Sequence, residues 1–291
     1  MLPLSDENPT KSTPWVTILL IMVNIAVFAF IQPQGDSPQG IEFSYEYAAI
    51  PCEITTGQPV STNEIPVVNG GSTDTCVRQS PLPPGCDTPA GSRGVCTPFP
   101  HKNIFLSVLF SLFLHGSWFH VGFNMWFLWI FGNNVEDHLG PLRYLAFYLV
   151  AGVVAALAHV AMQPQSTVPL IGASGAIAGV MGAYLVWFPT ARVRTLIFFF
   201  FIFFADIEAR WLLLGWLVSQ FLFNTGTDIA WAAHVGGFIF GVVFGAWVRG
   251  SVTARRVLWR RVYTTDDEGF WDARHGGRAP DHFPPYEGPV R

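Results

Sequence analysis

The segment Gly172-Ala-Ser-Gly-Ala-Ile-Ala-Gly-Val-Met-Gly-Ala-Tyr-Leu-Val-Trp-Phe188 decides the fold. It is apolar enough for hydrocarbon, yet it opens on Ser174, with Gly172 before it and Gly175 after it. A second apolar run, 231–248, carries Ala233-His234-Val-Gly-Gly237 near its start. The bilayer core penalises buried polar groups, so a serine and a histidine in such segments mark a functional site. A glycine-flanked serine, with a histidine to take its proton, is the minimum for nucleophilic acyl transfer.

The rest of the chain supports a membrane reading. Of 291 residues, 51% are hydrophobic and only 12% are charged, whereas soluble domains carry about 25% charged residues. No basic patch with a recognition motif is present, so nucleic acid is not an expected partner. Apolar runs of membrane length fall at 15–31, at 118–131 extended at its start by the run from Ile104, and at 142–162, 172–188, 211–223 and 231–248. The first lacks a cleavage pattern after it and reads as a transmembrane helix, not a signal peptide. The run 196–204 is too short to span and is followed by Asp206, Glu208 and Arg210. It is expected to be interfacial or the first part of a bent fifth helix. The expectation is an all-α polytopic protein with a six-helix bundle.

Arg143, Arg192, Arg194, Arg249, Arg255, Arg256, Arg260 and Arg261 fall in loops that six spans place on one side. The positive-inside rule makes that side the cytoplasm, with both termini on it. The long loop 32–103 then lies outside. It holds all four cysteines, Cys52, Cys76, Cys86 and Cys96. Disulfides persist in oxidising compartments, so these are candidate disulfide partners, with three pairings open. Phe43, Tyr45, Tyr47 and Ile50 form either an interfacial element or a small cluster within this loop. The expected organisation is an N-terminus over 1–13, a membrane domain over 14–249 and a disordered tail over 250–291.

Depth sharpens the chemistry. His120 and Asn124 start the second helix four residues apart, on one face. Ser174 starts the fourth helix and His234 starts the sixth, so all four converge at one depth. An oxyanion needs aimed donors. The His120 ring, the Asn124 amide and the Ser174 backbone N–H supply three. Ser174, Ala178 and Gly182 recur at four-residue intervals, as do Gly237, Gly241 and Gly245. Together with Gly172 and Gly175, these small residues are read as packing positions that let two helices approach closely. A three-histidine zinc site of His115, His120 and His234 is the competing reading, but no His-Glu-x-x-His motif accompanies them. No metal and no cofactor are expected. Glu136 and Asp137 are read as loop-ordering acids, and His101, His138 and His159 as structural.

These residues resemble the rhomboid family of intramembrane serine proteases. The resemblance rests on His115-Gly-Ser-Trp-Phe-His120-Val-Gly-Phe-Asn124, Gly132-Asn-Asn-Val-Glu-Asp137-His-Leu-Gly140, Gly172-Ala-Ser174-Gly175 and Ala233-His234-Val-Gly-Gly237-Phe-Ile-Phe-Gly241. It implies a Ser174–His234 dyad without an aspartate, and oxyanion stabilisation by His120, Asn124 and the Ser174 backbone. It also implies single-pass or polytopic membrane protein substrates in a lipid bilayer, cut near the outer end of a transmembrane helix. Some members carry a tyrosine four residues after the serine. Here that position is Ala178, so another group must orient His234. The Trp-Arg pair of the first outer loop in many members is not evident. The alternative is a non-proteolytic relative that binds transmembrane clients; retention of both Ser174 and His234 argues against it. The resemblance and the six-span plan together place the chain in a bacterial inner or plasma membrane.

Overall fold

The structure is a computed structural model that describes residues 2–33, 37–61, 76, 98–198, 202–222 and 230–251. The chain begins with a strand, β1 (Leu2–Asp6), and a helix, α1 (Trp15–Ala26), prolonged by a π-helical turn over Val27–Ile31. Two short helices follow in the long loop, α2 (Pro38–Tyr47) and α3 (Pro51–Thr56). Next come α4 (Ile104–Ser111), α5 (Trp118–Leu139), α6 (Pro141–Met162) and α7 (Ser174–Trp187). A hairpin of β2 (Arg192–Phe198) and β3 (Ile202–Glu208) precedes α8 (Ala209–Leu222), and α9 covers Trp231–Ser251. By internal contacts the chain divides into two units, Met1–Gly245 and Ala246–Arg291. The sheet, the helical core and the candidate site all belong to the first. Cys86, Cys96 and nearly all of the tail lie outside the described residues.

Local chemistry sets the boundaries. Ser117 caps α5 by accepting from the His120 N–H at 3.1 Å, which satisfies one of the donors a helix start leaves unpaired. The run from Ile104 is therefore interrupted over 112–117 and is not continuous with α5. Gly140, at φ +80, ends α5, and Pro141 opens α6, where a missing N–H costs nothing. Helix α7 is buried on all sides from Gly175 to Tyr184 and packs against α5, α6 and α8. Such a helix needs apolar residues all round.

Two expectations need correction. The fold is mostly helical, not all-α, because β1, β2 and β3 form an antiparallel sheet in that order. The 196–204 run is not the first part of α8; its described residues belong to the hairpin. The alternation Arg192-Val-Arg-Thr, with arginines exposed and Val193 and Thr195 buried, is the period-two pattern of a strand. The β-branched and aromatic residues after it favour the same state. Of the six runs, α6 and α9 are the two described helices long and apolar enough to cross a membrane by themselves, while Trp15–Ile31, α7 and α8 are apolar but shorter. Helix α5 has the length but carries Asn124, Asn133, Asn134, Glu136 and Asp137.

The N-terminal segment is tied down by carboxylates. Glu136 accepts from the Val16 and Thr17 N–H groups and from the Thr17 hydroxyl at 2.8–2.9 Å. Asp137 accepts from the Ser12 N–H and hydroxyl. Asp6 accepts from the Tyr184 hydroxyl at 2.7 Å and the Asn134 amide at 2.6 Å. Burial pushes the Asp6 carboxyl above its usual range, and these hydrogen bonds oppose the shift.

The long loop is built differently. Tyr45, Ile50, Cys52 and Val60 make a small core. Cys52 and Cys76 are joined in a disulfide. Lys102 and Glu53 form a fully buried ion pair. Burial pushes the Lys102 ammonium down, and the Glu53 carboxylate opposes it.

Candidate active site

Helices α7 and α9 approach closely because small residues line their seam. A side chain on Gly237 would overlap the Gly175 carbonyl, one on Gly241 the Gly179 carbonyl, and one on Gly182 the Phe238 carbonyl. Backbone cannot yield as a flexible side chain can, so only glycine fits at this separation. The seam on α7 runs through Gly175, Gly179 and Gly182, one position round from the Ser174, Ala178 and Gly182 face read from sequence. Ala178 is buried, and a side chain on Gly245 would crowd Ala183 and Val186 at 3.2–3.4 Å. Gly172 lies outside the helix, at φ +122, against the His120 ring.

The seam brings His234 Nε2 to 2.8 Å from Ser174 Oγ. The other ring nitrogen, Nδ1, lies 2.7 Å from Gln220 Oε1 on α8. Gln220 Nε2 donates to the Trp216 carbonyl and the Ser219 hydroxyl, both at 3.3 Å. Its Oε1 is therefore left to accept from Nδ1–H. That tautomer leaves Nε2 unprotonated and able to accept the Ser174 hydroxyl proton. The Trp216 ring lies 5.9 Å from the imidazole. Gln220 thus holds the His234 ring by a hydrogen bond that Ala178 has no polar group to make. Sequence reading missed it, although a glutamine in the apolar run 211–223 is as anomalous in hydrocarbon as Ser174.

Ser174 and His234 line a cavity of about 270 Å³, shared with His120, Asn124, Phe123, Phe127, Trp216 and Gln220. The four residues expected to converge from sequence therefore meet at one cavity. The Asn124 amide nitrogen is buried with no hydrogen-bond partner among the described residues. The Gly116 N–H donates to His120 Nδ1 at 3.3 Å, which leaves Nε2–H as the ring's donor. Ser174 is the first residue of α7, so its N–H has no acceptor within the helix. Three donors are thus uncommitted near one hydroxyl, and an oxyanion requires such a set. His115 packs edge-on to His120 with ring centroids 5.1 Å apart. Among the described residues no cluster of three His, Cys, Asp or Glu could hold a metal.

The loop entering α7 is held from outside. Cys52 N–H donates to the Ser166 carbonyl at 3.0 Å, Cys76 N–H to Gln165 at 2.8 Å and Leu170 N–H to Ala49 at 2.7 Å. Gly172 N–H donates to the Ser111 carbonyl at 2.9 Å, fixing the turn before Ser174.

The chain belongs to the rhomboid family: residues 102–251 match the Rhomboid domain model. Rhomboid family membrane proteins act on or bind transmembrane segments. The chain is 30% identical over 160 residues to Rhomboid protein 1, mitochondrial, of Saccharomyces cerevisiae, covering 52% of this chain and 44% of the relative. It is 30% identical over 161 residues to the Presenilin-associated rhomboid-like protein, mitochondrial, of Homo sapiens, covering 52% and 38%. Rhomboid protease GluP of Bacillus subtilis is 40% identical over 78 residues, 27% of this chain and 15% of the relative. The matched region therefore spans less than half the length of these relatives. The expected bacterial plasma membrane, with cytoplasmic termini, is overturned by the mitochondrial relatives. Sequence patterning reports a bilayer and a charge asymmetry, and both are compatible with more than one organelle.

Proposed function

We propose that this rhomboid is an intramembrane serine endopeptidase that cuts transmembrane segments of membrane proteins. The observation that carries the reading is the 2.8 Å contact between His234 Nε2 and Ser174 Oγ inside a cavity lined by unpaired donors. The name of the Bacillus subtilis relative, a rhomboid protease, supports it. Residues 14–249 form the membrane domain in this reading, with six spans, a long first loop over 32–103 and a separate tail over 250–291.

Ser174 Oγ attacks the scissile carbonyl carbon while its proton passes to His234 Nε2. The oxyanion takes hydrogen bonds from Asn124, His120 and the Ser174 N–H. Collapse breaks the C–N bond, and His234 gives its proton to the leaving amine. Water then attacks the acyl-enzyme as His234 takes its proton, the acyl C–O bond to Ser174 Oγ breaks to release the new carboxyl end, and His234 returns that proton to Ser174 Oγ. Gln220 holds the ring tautomer throughout.

The test compares wild type with Ser174→Ala in vesicles carrying a single-pass substrate. Cleavage and fluorophosphonate labelling should both vanish in the variant while it still inserts. Cleavage at the wild-type rate would overturn the mechanism. A wild type that binds the substrate but neither cleaves nor labels would favour the client-binding alternative.

A further inference from the structure

A second cavity, of about 280 Å³, lies where the long loop returns to α4, and none of its lining residues lines the Ser174 cavity. One wall is the end of α2, with Glu46 and Tyr47. The other is the segment that leads into α4, together with Ser107 and Phe110 of that helix.

The walls are aromatic. The Tyr47 and Phe110 rings stand 6.5 Å apart with their planes at 64°, so they form two sides of a corner. Phe43 packs on Tyr47 at 4.6 Å and steadies its ring. Phe99 adds a third ring to the lining. Aromatic faces are electronegative and attract organic cations, quaternary ammonium groups above all.

The charges agree with the rings. Glu46 is the carboxylate in the lining, and it forms no ion pair among the described residues. Its charge pushes the Tyr47 phenol above its usual range, so acid and ring act on the same space. Lys102 also borders the cavity, but it is paired with Glu53 and donates to the Tyr45 carbonyl at 2.7 Å. The opposite wall holds donors. Asn103 Oδ1 caps α4 by accepting from the Leu106 N–H at 3.0 Å, which leaves its Nδ2 to donate. The exposed His101 ring stands beside it in the chain. An acceptor with rings on one wall and donors on the other suit a zwitterion that joins an ammonium to a phosphate.

The surroundings indicate what carries that zwitterion. Helix α4 ends at Ser111, whose carbonyl takes the Gly172 N–H. The cavity therefore belongs to the Ser174 end of the helices, where a bilayer presents its headgroups. Phe110 lies on one face of α4 with Leu106, and they are 44% and 41% exposed. An apolar stripe thus leaves the cavity along the helix and offers acyl chains a surface that a soluble choline compound would leave bare.

We propose that this cavity binds the headgroup of a choline phospholipid, with the ammonium against Glu46, Tyr47, Phe99 and Phe110 and the phosphate toward Asn103 and His101. The proposal rests on the reading that the helices cross a bilayer, and it is independent of proteolysis. A headgroup held there ties α2 to the start of α4 at the membrane surface.

Native mass spectrometry of the full chain in detergent tests it, with dioleoylphosphatidylcholine, dioleoylphosphatidylglycerol and free phosphocholine as probes. The choline lipid should bind about tenfold tighter than the glycerol lipid, which has the same chains and phosphate but no ammonium. Glu46→Gln should abolish that preference and Phe110→Leu should weaken it. Glu42→Gln, exposed on the same helix and outside the lining, should keep it. Free phosphocholine should displace the lipid only in large excess. Equal binding of the two lipids by the wild type, or a preference that survives Glu46→Gln, would overturn the proposal. Phosphocholine competing at the lipid's own concentration would do so too, because the ligand would then be a soluble choline compound. Thermal melting without lipid checks that each variant folds; should Glu46→Gln not fold, an undiminished preference in Phe110→Leu would overturn the proposal by itself. A wild type that ignores fluorophosphonate yet prefers the choline lipid would sink the protease reading but keep this one.

Discussion

The two ends of the helical core solve one problem with different chemistry. At the end away from Ser174, Asp6, Glu136 and Asp137 hold the N-terminal segment by hydrogen bonds to their carboxylates. At the Ser174 end, main-chain hydrogen bonds and the Cys52–Cys76 disulfide hold the loop. The contrast follows from what each end must leave open. Saturated carboxylates rigidify a helix end but leave nothing for a ligand. Backbone bonds and a covalent link fix the Ser174 loop while Asn124 and the Ser174 N–H stay uncommitted.

Mutations at the two ends should therefore fail in different ways. The largest effect on stability is expected from Glu136→Ala. It strips the acceptor from two N–H groups at the start of α1, at about 1–3 kcal/mol each. Thermal unfolding in detergent should fall markedly, while surviving folded molecules still label at Ser174. Loss of labelling in the folded fraction would mean the far end takes part in the chemistry.

Asn124→Ala should do the reverse. Loss of one oxyanion donor costs about 10²–10³ in rate, so kcat should drop by that factor with KM and melting temperature little changed. A raised KM with normal kcat would move Asn124 from the transition state to substrate binding.

Cys52→Ser sits between these cases, because the disulfide belongs to the Ser174 end yet is structural. Its removal should cost about 2–4 kcal/mol in the usual loop-entropy model. Labelling should also slow, because the Cys52 and Cys76 amides hold the Ser166 and Gln165 carbonyls of the loop that leads into α7. Unchanged labelling below the melting temperature would show that the loop holds its shape without the bond.

The smallest change is expected from Gln220→Leu. A general base contributes about 10²–10⁴-fold, and losing only its orientation should forfeit about 10–100-fold in kcat. Gln220→Glu keeps an acceptor for Nδ1–H and should recover part of the loss. Equal defects in both variants would point to packing against Trp216 instead.

The sequence alone determined the helical membrane character, the rhomboid resemblance and the meeting of Ser174, His234, His120 and Asn124. Each is legible because hydrocarbon makes polar residues conspicuous, and helical rise converts sequence position into depth. The glycine ladder Gly237, Gly241 and Gly245 was legible for a related reason, since only small residues allow close helix approach. Its partner face was misplaced by one residue, because Ser174 drew the register toward itself. Only the tertiary structure decided that Gln220 meets His234, since their helices are joined through residues whose spacing encodes no contact. Only it paired Leu2–Asp6 with Arg192–Phe198, far apart in the chain. A strand gains its hydrogen bonds from a distant partner, whereas a helix gains them from itself. The helices could therefore be read one at a time, and the sheet could not.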